Sequence, residues 1–286
     1  MATTRRRHRY RSTVYLALGI LVLLTPVVLT HINNVEQQRI AERYSQHALN
    51  LSEQDRSALL DEARQYNQDL GEHPVTDPWG GVPDRHSAEY QRYEHLLASD
   101  AMMARVRIPS VGIDAPVYHG TNQSTLAMGV GHVYGTALPV GGESTHSVLA
   151  GHTGLATVTM FDNISHVKDG DIMIVEVAGE TLAYRVDQIK TVLPNQLEDV
   201  MPEAGHDRIT LVTCTPYGIN THRLLIRGER TELPADALTQ SYFSPWQPWM
   251  VFAIIMAFIA LIVLLMRARK RHQRKTQTQN ERTAGA

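Results

Sequence analysis

Two uninterrupted apolar stretches frame the chain, one from Thr13 to Thr30 and one from Trp249 to Met266. Each approaches the roughly 20 residues an α-helix needs to cross a hydrocarbon core. Between them the pattern changes twice. Residues 32–98 are polar and helical in character: Leu59, Leu60, Ala63, Tyr66 and Leu70 fall at helical spacing behind a plausible N-cap, Ser52, with Gly71 closing the run. Tyr90, Tyr93, Leu96 and Leu97 predict a second helix within 86–98. The stretch joining them, Gly71 to Asp84, holds too much Pro and Gly for helix or strand and reads as an exposed loop. From about 101 to 232 short β-branched runs alternate with turn residues: 106–108, 115–118, 147–150, 172–177, 182–186, 209–213 and 224–226. That many short strands predict a sandwich or a barrel.

Charge divides the chain in the same places. Of 27 Lys and Arg, 12 lie in residues 1–30 and 267–286, which hold a single acid, Glu281; the remaining 15 basic residues face 28 of the 29 acids, a net of −13 for 31–266. Basic residues flanking membrane helices stay on the cytoplasmic side. The expected organisation is therefore a basic cytoplasmic tail (1–12), a transmembrane helix or signal anchor (13–30), a helical preface (32–98), a globular domain outside the cell (101–232), a second transmembrane helix (247–266) and a second basic tail (267–286). Trp246 and Trp249 suit the outer membrane interface. The alternative for 13–30 is a cleaved signal peptide, though no clear small-residue cleavage site follows it. An acidic domain of this kind repels nucleic acid, so no nucleic-acid partner is expected.

The chain has one cysteine, Cys214. Exported domains use cysteines in pairs as disulfides, so a solitary one is either a reactive thiol or a buried inert one. Cys214 ends an apolar run and Arg223 begins the next, with Pro216, Gly218 and Asn220 supplying turn chemistry between them. A hairpin would bring thiol and guanidinium together at its mouth. The cation would favour thiolate and could bind an oxyanion. A general acid is then wanted, and histidine suits it. Among 14 histidines, His152 follows the apolar run 147–150 between Gly151 and Gly154, a setting that displays a side chain. His222 adjoins Arg223, but strand alternation turns it to the other face.

The segments Thr210-Leu-Val-Thr-Cys-Thr-Pro-Tyr-Gly-Ile-Asn-Thr-His-Arg-Leu-Leu-Ile-Arg-Gly228, Leu138-Pro-Val-Gly-Gly-Glu-Ser-Thr-His-Ser-Val-Leu-Ala-Gly-His152 and Arg107-Ile-Pro-Ser-Val-Gly-Ile-Asp-Ala-Pro-Val-Tyr-His-Gly120 resemble class C sortases, the pilin-polymerising enzymes of Gram-positive bacteria. The resemblance implies a mainly β fold, a closed eight-stranded barrel with a helical preface and flanking membrane helices. It implies Cys214 as nucleophile, His152 as general acid and base, and Arg223 as the residue that positions substrate and steadies the oxyanion. It also implies cleavage of a Leu-Pro-x-Thr-Gly-type sorting signal between Thr and Gly, and transfer of the acyl group to a lysine of another pilin subunit. The expected partners are pilin subunits carrying a sorting signal and an acceptor lysine, together with the lipid bilayer. No metal or organic cofactor is implied. Asp77-Pro78-Trp79 resembles the lid of this class, the acid facing the arginine and the ring covering the cysteine. Thr153 departs from the pattern, since many relatives carry a basic residue there. Two alternatives stand beside this reading: a housekeeping sortase that anchors proteins to peptidoglycan, and a non-catalytic surface module.

Overall fold

Eight strands whose inward positions are almost wholly apolar close on themselves as a barrel. The computed structural model describes residues 2–71, 77–80, 83–237 and 246–284, with side chains from 13 to 270 within those ranges. It divides into two units, 33–245 on the one hand and 1–32 with 246–286 on the other.

In chain order the helices and strands are α1 (Ala2–Asn50), α2 (Glu53–Asp69), α3 (Ala88–His95), β1 (Ala104–Ile108), β2 (Ile113–His119), α4 (Gln123–Met128), β3 (Val130–His132), β4 (Thr145–Ala150), β5 (Ile172–Val177), β6 (Glu180–Val192), β7 (Asp207–Thr215), β8 (His222–Thr231) and α5 (Pro248–Ala284). Around the barrel the order is β1-β2-β3-β4-β7-β8-β6-β5. The β2/β3 and β4/β7 pairs are parallel and the rest antiparallel. The seven runs expected from the sequence all lie inside strands. The eighth, β3, is three residues long with glycines at 129 and 131, too short to show an alternation.

The preface differs from expectation in three ways. The first apolar stretch does not end near Thr30; it continues as one helix to Asn50. Ala41, Tyr44 and Ala48, spaced three and four apart, bury one side of that continuation, and the Tyr44 hydroxyl donates to the Met103 carbonyl (2.6 Å) and accepts from the Ala178 amide (3.1 Å). Ser52 does cap α2, accepting from the Asp55 amide (3.1 Å). Gly71 does not close it, because the helix stops at Asp69 and Leu70 is already extended. Finally α3 is two turns long, capped by Ser87, and ends where Leu96 turns extended and Leu97 takes a positive φ of 55°. Asn67 fixes α2 to the loop before β4 through a reciprocal pair with the Leu138 backbone (2.7 and 3.1 Å).

Two helices are long and apolar enough to cross a membrane, Thr13–Asn50 and Pro248–Lys270. Val27, Met250 and Ala253 bury one another beside Trp249. His31 stacks on Trp246 with ring centroids 5.9 Å apart.

Candidate active site

The β7–β8 hairpin that the turn residues predict is present, and its register sets Cys214 directly opposite Arg223. On the other side of β7, the parallel ladder to β4 pairs Ala150 with Val212. His152 and Cys214 each lie two residues beyond that pair, so the histidine and the cysteine emerge from the same end of the barrel on adjacent chains.

The backbone around His152 is held on several sides. The Gly151 amide donates to Val212 O (3.1 Å), Thr213 Oγ1 donates to Gly151 O (2.7 Å), and the Phe161 amide donates to His152 O (3.1 Å). Gly151 has no room for a side chain: a Cβ there would stand 2.6 Å from the buried Phe161 ring. Thr153, the departure noted above, turns its hydroxyl to the Cys214 carbonyl (3.0 Å).

Asp77, Pro78 and Trp79 come to this same place. Asp77 grips Arg223 with both oxygens, accepting from Nε at 2.7 Å and from Nη2 at 2.8 Å. The two side chains are only 14% and 8% exposed, so the pair is a bidentate, largely desolvated one. Arg223 Nη1 donates to the carbonyls of Asn220 (3.3 Å) and His222 (3.1 Å), which fixes the guanidinium plane. Trp79 lies over that plane, 4.8 Å from ring centroid to Cζ, and its ring centroid is 6.0 Å from that of His152. The indole N–H is buried without a hydrogen-bond partner. Pro78 is buried. Within the 71–84 stretch Asp77, Pro78 and Trp79 are thus tucked against the barrel, drawn in by the ion pair and the ring, whereas Gly71, Gly80 and Asp84 are exposed as expected. Residues 72–76 and 81–82 of that stretch lie outside the described residues. Beside the tryptophan is a cavity of about 400 Å³ whose walls include Pro78, Trp79, Pro83, Tyr90, Leu126 and His152.

Electrostatics follow from this packing. Burial pushes the Cys214 thiol above its ordinary range; Arg223 pulls it down and Asp77 pushes it up again. Burial also lowers the basicity of His152. The hydrogen bonds that Arg223 donates to Asp77 raise its pKa, so the arginine stays a cation. Among the described residues no group of three or more His, Cys, Asp or Glu could hold a metal ion.

Sequence reasoning passed over Asp162 and Tyr217. Asp162 sits in an irregular stretch with no periodicity to mark it, yet its Oδ1 accepts from the Gly154 amide (2.7 Å) and its carboxylate neighbours the Tyr217 side chain.

A cysteine, an arginine paired with it across a hairpin and a histidine at the same barrel end define a thiol-dependent acyl-transfer class of site. Residues 106–231 match the Sortase domain. Sortase C-1 of Actinomyces oris is 47% identical, covering 62% of this chain and 99% of that one at a TM-score of 0.60. Sortase C of Streptococcus pneumoniae, described in terms of catalysis and pilin substrate specificity, is 36% identical, covering 69% of this chain and 98% of that one at 0.63. The chain therefore belongs to the sortase family of cysteine transpeptidases, with class C pilin sortases among its structural matches. Sortase A of Bacillus anthracis is 29% identical over 133 residues, 46% of this chain and 61% of that protein. The chain thus spans about three fifths of that curated relative.

Proposed function

We propose that this protein is a class C sortase that joins pilin subunits through lysine isopeptide bonds. The Cys214 thiolate attacks the Thr carbonyl of a Leu-Pro-x-Thr-Gly-type signal. The Thr–Gly C–N bond breaks, His152 gives its proton to the departing glycine amine, and a Cys214 thioester remains. The ε-amine of a pilin lysine then attacks the thioester, His152 takes up the proton, and the thiolate leaves as the isopeptide forms. Arg223 donates to the oxyanion in both steps. The free energy of the cleaved peptide bond is carried in the thioester, so no nucleotide is needed.

The observation that carries this reading is the Asp77–Arg223–Trp79 assembly. With two of its five N–H donors on Asp77 and two on the Asn220 and His222 carbonyls, and its charge neutralised by the acid, Arg223 is poorly placed to bind an oxyanion. Asp77, Pro78 and Trp79 therefore act as a lid, and the protein rests in a closed state with a protonated thiol. A polymerising enzyme gains from this, because its thiol stays covered until a pilin displaces the lid. The lid favours pilin joining over the housekeeping reading. With both basic tails cytoplasmic, the catalytic domain, residues 101–232, and its preface face the outside, where pilins are assembled.

The test is made in cells. With Cys214→Ala in place of the wild-type gene, the high-molecular-weight ladder of cross-linked pilin should vanish from cell-wall extracts. A ladder that persists removes the enzymatic reading, and surface proteins linked to peptidoglycan instead of to each other would favour the housekeeping one.

A further inference from the structure

The segment that carries His152 leaves the barrel after β4, and the turn that carries Tyr217 leaves it after Cys214. No β-ladder joins the two beyond Ala150 and Val212. What spans them is a set of side-chain contacts. Thr153 Oγ1 reaches the Cys214 carbonyl (3.0 Å). Asp162 Oδ1 takes the Gly154 amide (2.7 Å), and the same carboxylate neighbours the Tyr217 side chain, each group shifting the other's titration. Gly154 has a φ of +79°, and a Cβ there would touch Tyr217 Cζ at 3.8 Å, so the tyrosine ring lies across the glycine. That ring is 58% exposed, so burial alone does not set its place.

The far side of the His152 segment is fixed independently by α1. Asn33 Nδ2 donates to Thr157 O (2.8 Å), Asn34 Nδ2 donates to Thr159 Oγ1 (2.7 Å), and Asn34 Oδ1 accepts from the Thr159 amide (2.9 Å). These partners are neutral. Burial lifts the Asp162 carboxyl to about 6, so at neutral pH it is mostly ionised, its bond from the Gly154 amide is charge-assisted, and it attracts the neighbouring Tyr217 hydroxyl as a donor.

We propose that Asp162 and Tyr217 form a clasp that holds the His152 segment against the Cys214 turn, making Asp162 a positioning residue for acyl transfer. This rests on the transpeptidase reading above. Neither group contacts the reacting atoms. Their effect is on the alignment of the imidazole with the thiol and the leaving amine, where a displacement of about 1 Å costs up to about a hundredfold in rate.

The experiment uses the full chain in detergent, carrying Asp77→Ala and Trp79→Ala so that lid opening does not limit the rate. Acylation of Cys214 by a Leu-Pro-x-Thr-Gly peptide is followed by intact-mass spectrometry. Adding Asp162→Ala should lower the acylation rate constant about ten- to a hundredfold with little change in the peptide concentration at half-saturation. Tyr217→Phe should do the same, and the two together should cost no more than the larger single loss, since they remove one contact. Asp162→Asn, which keeps the shape and an acceptor for Gly154, should lose rate but less than Asp162→Ala, and covers the case in which Asp162→Ala fails to fold. Unchanged rates in the Asp162 and Tyr217 variants, or losses that multiply, overturn the clasp while leaving the transpeptidase reading intact. If the lid-opened parent itself forms no adduct, the transpeptidase reading falls and the clasp with it.

Discussion

At Cys214 three influences act on one proton. Burial opposes the thiolate, Arg223 favours it, and Asp77 opposes it. Asp77 belongs to the proposed lid, and if Trp79 adds to the burial, removing both should lower the thiol pKa and expose the sulfur. Asp77→Ala with Trp79→Ala is expected to speed alkylation of Cys214 by iodoacetamide at pH 7 by about tenfold or more, one pKa unit being a factor of about ten in thiolate. The pH midpoint of alkylation should move down. A rate and midpoint equal to wild type would mean that these residues do not gate the thiol. Part of this site was legible in the sequence. A strand-ending cysteine and a strand-starting arginine separated by turn residues predict a facing pair, and β7–β8 register produces one. His152 could be singled out only by its glycines and by resemblance, because a barrel-end position depends on the parallel β4/β7 ladder, and pairing between distant strands leaves no local trace. Asp162 was invisible for a similar reason, since its role comes from a turn 55 residues away whose position nothing near Asp162 encodes.

At the scale of elements, two buried histidines tie strands to their neighbours. His132, on β3, contacts the Tyr93 hydroxyl of α3 (2.9 Å) and the Ala137 carbonyl (2.8 Å). His146, on β4, contacts Thr210 Oγ1 of β7 (2.7 Å) and the Met201 carbonyl (3.1 Å). Burial pushes each down to about 4. The unfolded chain holds its imidazoles at the ordinary value near 6.5, so between pH 6.5 and 4 the unfolded state binds protons that the folded state does not. Stability is therefore full above about pH 6.5 and falls as pH drops toward 4, by roughly 3 kcal/mol per histidine at the limit. Asp162 acts in the opposite sense, because its carboxyl, raised to about 6, binds its proton more readily in the folded state. Two histidines outweigh one acid, and unfolding at pH 5.5 should take up about one proton net or more. Urea titrations at pH 5.0, 5.5 and 6.0 measure this as the slope of unfolding free energy with pH. A flat or rising stability on acidification would contradict the buried, neutral histidines. Strands built on β-branched runs could be read from the sequence, whereas β3 and the continuation of α1 past Thr30 could not. The first is three residues long, and the second buries only a narrow stripe, Ala41, Tyr44 and Ala48, within a polar run.

For the whole molecule, the uneven distribution of charge matters more than the near-neutral total. With two apolar helices flanked by basic tails, both ends of the chain should lie in the cytoplasm. In a Cys214→Ser background, single cysteines introduced as Ser12→Cys or Thr278→Cys should resist a membrane-impermeant maleimide on intact protoplasts and react once the membrane is permeabilised. Labelling of either without permeabilisation would overturn that topology. The acidic domain between the helices would then meet its substrates outside, tethered at both ends, with a covered thiol and an arginine occupied by its own lid. The central claim is that this thiol is an acyl carrier. Intact-mass and peptide-level mass spectrometry of the lid-opened full chain, after incubation with a Leu-Pro-x-Thr-Gly peptide, tests it most directly. The expected result is a single adduct on Cys214 corresponding to the peptide cut after Thr, released by an added amine and absent from Cys214→Ala. No adduct, or an adduct that survives in Cys214→Ala, would contradict it.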